Sequence, residues 1–192
     1  MTRGTFYKYR SLENFEFFID ILLNERLYAT SYENMNDAME GIYYHYGLQP
    51  SVLKGIKNGK ERFKICSLSK ERNEPLLWSH YANGSRGINI GLDVTGHNLD
   101  IKDIIYTGSP TITDCIDANR TAKEILSYKH ESWRYENEVR VFTENNNSYV
   151  KIKIKEIILG ERISQRQKSL IQKLIKSLLP SVAIIEYKDL TI

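Results

Sequence analysis

Four polar residues, Glu144-Asn145-Asn146-Asn147, separate two β-type runs, Trp133–Thr143 and Ser148–Ile154. Asparagine tolerates left-handed backbone, so the pattern predicts a β-hairpin here. No other feature constrains the fold as much, because it commits two segments to antiparallel pairing. The remaining elements fall around it. Phe6–Arg10, Arg26–Ser31, Arg62–Ser69, Gly87–Val94, Ile104–Thr107 and Val182–Tyr187 read as strands. Ser11 is a good N-cap for a helix with Leu12, Phe15, Ile19, Leu22 and Leu23 on one stripe. Pro75 opens a short helix over Leu76–Ala82, and Cys115–Ser127 has helical spacing. Ser164–Leu179 is the clearest helix, stopped by Pro180. Glu33–Glu40 reads as a structured loop, and Pro50–Gly59 as a surface connection or short helix. This order predicts an α+β fold with a largely antiparallel sheet.

Composition narrows the classes. Hydrophobic residues at 41% and charged residues at 27% exclude a wholly disordered or collagen-like chain. The 192 residues suggest one domain. No apolar run reaches the ~18 residues of a membrane span. Met1–Thr5 shows no secretory pattern, and Cys66 and Cys115 form no CxxC, so a cytoplasmic location is expected. The P-loop is absent. The histidines His45, His80, His97 and His130 are too scattered to argue a metal cluster. The net charge is only +3, yet eight basic residues fall between Lys151 and Lys176, a face that could attract nucleic acid or simply be solvated.

Four constellations could carry chemistry. In Trp133-Arg134-Tyr135-Glu136-Asn137-Glu138-Val139-Arg140, a strand would place Glu136 and Glu138 on one face, roughly 7 Å apart. Arg134 and Arg140 would flank them, with Trp133 and Tyr135 anchoring the opposite face. Spacing alone favours a solvent-facing charged ladder; the alternative is a carboxylate pair that stabilises a sugar cation. Arg10 ends the first strand, where it could clamp a phosphate or cover a tyrosine ring. Tyr28, Thr30 and Ser31 offer a ring beside hydroxyls, ahead of Asn34, Asn36, Asp37 and Glu40. Ser67 and Ser69 lie on a strand before Trp78, His80 and Tyr81; Trp78 reads as core, while His80 and Tyr81 could line a cleft.

The segments YKYRSL, LYATSYENMNDAMEG, ICSLS, LLWSHYANGSRGINIGLDV and SWRYENEVRVF resemble a large bacterial family with a domain of unknown function, met near abortive-infection and phage-defence genes. The order of Arg10, the Tyr28–Ser31 strand and a late Glu-x-Glu also resembles ADP-ribosyltransferases. That resemblance implies a single ADP-ribosyltransferase-like domain over residues 1–192 with a split sheet. Its co-substrate would be NAD. Glu138 would be the catalytic glutamate and Glu136 would orient the acceptor. Arg10, Tyr28, Thr30, Ser31, Ser67 and Tyr81 would bind NAD, with Tyr28 stacking on nicotinamide. The nearest match to the superfamily's Ser-Thr-Ser segment is Ala29-Thr30-Ser31. The acceptor would be RNA, DNA or protein, and an inhibitor protein would silence a toxin of this kind. Two other readings stay open. One is a Mg²⁺-dependent nuclease using Asp93, Glu136 and Glu138. The other is a binding module that uses the Lys151, Lys153, Lys155 face.

Overall fold

The computed structural model describes residues 4–96, 100–144 and 146–190. Met1–Arg3, His97 and Asn145, which entered the sequence reading, lie outside the described residues. In chain order the elements are β1 (Phe6–Arg10), α1 (Phe15–Asn24), β2 (Arg26–Tyr28), β3 (Tyr44–His45), α2 (Pro50–Arg62), β4 (Phe63–Ser69), α3 (Pro75–Tyr81), β5 (Ile88–Val94), β6 (Asp100–Asp103), β7 (Thr111–Ile112), α4 (Ala118–Ile125), β8 (Glu138–Glu144), β9 (Tyr149–Leu159), α5 (Gln165–Leu178) and β10 (Ala183–Glu186). Short 3₁₀ turns cover Tyr32–Asn34, Glu131–Glu136 and Tyr187–Asp189. The fold is mixed α/β, with a mostly antiparallel sheet and flanking helices. No helix among the described residues is long and apolar enough to cross a membrane.

Contacts divide the chain into two compact units. The first comprises Met1–Leu27, Leu68–His97 and Lys151–Ile192. Its strands run in the order β10-β9-β5-β1, antiparallel except for the β10–β9 pair. β9 shows why it folds this way: Val150, Ile152 and Ile154 are buried while Tyr149, Lys151, Lys153 and Lys155 face solvent. Helix α1 buries Phe18, Ile21 and Leu22, and α5 buries Ile171 and Ile175. Trp78 sits edge-on between Tyr9 and Tyr187.

Gly87 allows the closest backbone approach in this unit. A Cβ there would stand 2.1 Å from the Arg10 carbonyl oxygen. Gly87→Ala is therefore expected to cost ~2 kcal/mol or more. A melting temperature lower by roughly 4–8 °C checks it; unchanged melting contradicts it.

The second unit comprises Tyr28–Ser67 and Asn98–Val150. β8 pairs antiparallel with β6 and has β4 on its other side. Phe63, Ile65, Ala122, Leu126 and Phe142 form one core cluster, and Ile56, Ile112 and Ile125 another. Helices α2 and α4 pack closely because Gly59 faces Ala122, whose Cβ would lie only 2.9 Å from an added Cβ.

Three expectations are corrected. β8 and β9 are not hairpin partners: β8 lies between β4 and β6, and β9 between β5 and β10. Continuous burial of β8 from Glu138 to Phe142 suits an interior strand, so non-local pairing prevails over the local turn. Of the connection and the short helix expected at Pro50–Gly59, the helix forms and runs longer, over the 13 residues Pro50–Arg62. The strand expected at Ile104–Thr107 lies earlier, at Asp100–Asp103, and Ile105 makes only an isolated bridge to Tyr128.

Candidate functional site

The second unit holds a buried cluster of charge built by three local devices. The first is a turn. Asp37 accepts a hydrogen bond from the Met39 backbone N–H (2.9 Å) and closes a turn that delivers Glu40 inward. The second is the bridge between Ile105 and Tyr128, which fixes the backbone just before Lys129. The third is Asn137, whose left-handed conformation (φ 42°) ends the 3₁₀ turn Glu131–Glu136 and starts β8 at Glu138. The Glu138 backbone N–H donates to the Tyr106 hydroxyl (2.6 Å), which locks that start.

Asn137 overturns the expected strand over Trp133–Thr143. Its left-handed turn breaks the two-residue period, so Glu136 and Glu138 belong to different elements. Arg134 stays exposed and pairs with Glu131, while Trp133 and Tyr135 are half-buried beside each other. The solvent-facing ladder is also corrected: Glu136 is 5%, Glu138 4% and Arg140 0% exposed.

The carboxylates converge on two cations. Lys129 Nζ donates to Glu136 Oε2 (2.5 Å) and Glu138 Oε2 (3.1 Å), and lies 4.6 Å from the centroid of the Trp133 ring. Arg140 spreads its fork over two glutamates. Nε and Nη2 donate to Glu138, and Nη1 and Nη2 to Glu40. Nη1 also donates to the Leu126 carbonyl at the end of α4. Fully ionised, three carboxylates face one ammonium and one guanidinium, leaving one excess negative charge. A small surface pocket, lined in part by Met39, Ile42, Ser109 and His130, reaches Lys129.

Burial alone would raise the Glu138 carboxyl. Arg140 and Lys129 outweigh it, with help from the Ser67 hydroxyl, and hold the group down at about 2. Burial raises Glu40, opposed by Arg140. Burial would lower Lys129, but Glu138 and Glu136 carry it above its ordinary value.

A pH dependence follows. The folded value of Glu138 lies below its ordinary 4.5, so the unfolded chain binds the proton more readily. Its contribution is present above pH 4.5 and is lost as pH falls toward about 2. Glu40, shifted upward, works with the opposite sign. Denaturant titrations across that window should show this acid loss in wild type and a flatter profile in Glu138→Gln. Parallel profiles contradict it.

The structure places the other expected residues unevenly. Ser67 faces Glu138. Tyr28 is exposed against Tyr149. The Thr30 backbone pairs with Ile65, and Ser31 Oγ accepts from Asn34 Nδ2 (3.0 Å), a local turn contact. Arg10, at the end of β1, and Tyr81, at the end of α3, belong to the first unit. Asp93 also lies there, paired with Lys155 (2.9 Å), and Lys153 pairs with Glu25 (3.2 Å). Two of the three lysines of the proposed basic face thus already meet carboxylates. Among the described residues no group of three or more His, Cys, Asp or Glu is arranged to hold a metal ion. The sequence placed Arg140 beside the two glutamates and Glu40 in a separate loop, but gave no sign of Lys129 or Tyr106 at the site. The Asn-Asp turn before Glu40 was a usable signal; a lone lysine after a helix was not.

Comparison with protein families, with curated proteins and with solved structures found no match to this chain.

Proposed function

We propose that the chain is an NAD-dependent ADP-ribosyltransferase, acting as a toxin or phage-defence effector on a nucleic acid, RNA first, or on a protein. One observation carries the proposal: the Glu138 carboxylate, two residues after Glu136, is fixed by Arg140 (2.8 Å) and Lys129 (3.1 Å) in one buried cluster. When the glycosidic C–N bond breaks, nicotinamide leaves with the bonding electron pair and the ribose carbon becomes cationic. A fixed carboxylate stabilises that charge without reorganising. Nicotinamide is a good leaving group, so positioning and charge supply most of the catalysis. An acceptor nucleophile then bonds to the ribose carbon and releases its proton. Glu138 would stabilise the cation and Glu136 would orient the acceptor. Within the same unit, Tyr28, Thr30, Ser31 and Ser67 keep the NAD-binding roles that the resemblance implies.

The burial of Glu138 supports a second reading. Both of its oxygens accept bonds from Arg140 or Lys129, as in a purely structural ion cluster. NAD labelled in its adenylate separates the two when incubated with RNA, DNA or cell protein. Label transfer with nicotinamide release supports the transferase, and the labelled fraction names the acceptor. No release in any mixture leaves the structural cluster.

A further inference from the structure

A second surface in the same unit has a different chemistry. β2 ends at Tyr28, and the next residue, Ala29, donates its backbone N–H to the Ser148 carbonyl (2.9 Å). That bond sets Tyr28 beside Tyr149, the first residue of β9. Their rings meet edge to face, with centroids 5.7 Å apart and planes at 74°. Both stay in water: Tyr28 is 53% and Tyr149 37% exposed. On the other side, the bridge between Thr30 and Ile65 brings up β4 and with it Lys64. The Lys64 ammonium lies 6.0 Å from the Tyr28 centroid and donates to the neutral Ser148 hydroxyl (3.0 Å). Arg62, two residues earlier, is matched by Glu144 (3.0 Å). Among the described residues, Lys64 thus stands beside the Tyr28 ring with a neutral hydrogen-bond acceptor.

Two exposed rings beside a lysine match one ligand class closely. Bases stack on aromatic faces whatever their sequence, and an adjacent cation meets the phosphate. A single strand exposes its base faces to such rings, whereas a duplex hides them. We propose that Tyr28, Tyr149 and Lys64 form a binding site for single-stranded nucleic acid, with bases stacking on the rings and a phosphate meeting Lys64. Tyr28 is also the ring that the resemblance would stack on nicotinamide, so a base and NAD would compete for it; measured without NAD, oligonucleotide binding is read independently of the transferase. Tyr149 and Lys64 also lie outside the nicotinamide-stacking role that the resemblance gives Tyr28.

The test is fluorescence anisotropy of the full chain with a labelled uridine oligonucleotide, without NAD. Wild type should bind, and an unlabelled duplex should compete poorly. Tyr28→Ala or Tyr149→Ala should weaken binding about 10-fold or more, and Tyr28→Trp should restore it. Lys64→Gln should weaken binding and reduce the salt slope by about 1. Melting curves verify that each variant is folded. The proposal is overturned if wild type fails to bind, if the duplex competes equally, or if the double alanine variant binds like wild type. Preferential binding of an aromatic peptide at the same tyrosines would also overturn it, naming a protein surface instead.

Discussion

Replacing Arg140 with methionine is expected to destabilise the second unit severely. Arg140 has no solvent exposure, and its fork holds both Glu138 and Glu40. Methionine fills similar volume but takes the guanidinium from Glu40 and leaves Glu138 with Lys129 alone. Removing one partner of a buried ion pair costs ~3–5 kcal/mol. Native stability is only ~5–15 kcal/mol in total, so a large share is at stake. Thermal melting should fall by roughly 6 °C or more. Arg140→Lys keeps the charge and should fall between, since an ammonium cannot bridge two carboxylates bidentately. Adding Glu40→Met to Arg140→Met should cost less than the sum of the single changes, because the stranded Glu40 charge goes with it. Melting within 2 °C of wild type, ~1 kcal/mol or less, contradicts the clamp.

Glu138→Gln has the largest expected effect on activity. Glutamine keeps the shape and loses the charge. Losing one preorganised electrostatic contact to a transition state typically costs ~10²–10³-fold in rate. Nicotinamide release should fall by at least about 100-fold, with the loss in kcat. The variant should also melt lower, since Arg140 and Lys129 lose a counter-charge. Glu40→Gln is the comparison: it weakens the same clamp yet leaves the Glu138 charge in place. A rate loss shared equally by both variants points to loosened structure; a loss confined to Glu138→Gln points to chemistry.

Much of the architecture was legible where one face is buried. The run Ser148–Ile154 holds the first part of β9, whose buried face carries Val150, Ile152 and Ile154, and Ser164–Leu179 holds α5, which buries Ile171 and Ile175. Pairing was not legible, because an asparagine turn fixes a reversal and not the partner of each strand. Glu136 and Glu138 were singled out from their spacing, but on the wrong geometry. The left-handed Asn137 places them by a turn rather than by a strand period. Lys129, Tyr106 and Glu40 reach the cluster from distant segments through bonds spanning 9, 32 and 100 residues. Local periodicity carries no record of such contacts. Asp93, Lys153 and Lys155 looked functional as isolated charges; their ion-pair partners became visible only in the fold.

The central claim is that the ionised Glu138 serves NAD chemistry. Nicotinamide release from NAD by folded wild-type protein tests it most directly, run alone and with RNA, DNA or cell protein. The account predicts release that is stimulated by one acceptor and is coupled to transfer of the adenylate label. Intact NAD in every mixture, with the protein folded, contradicts it and leaves Glu138, Lys129 and Arg140 as the internal frame of the second unit.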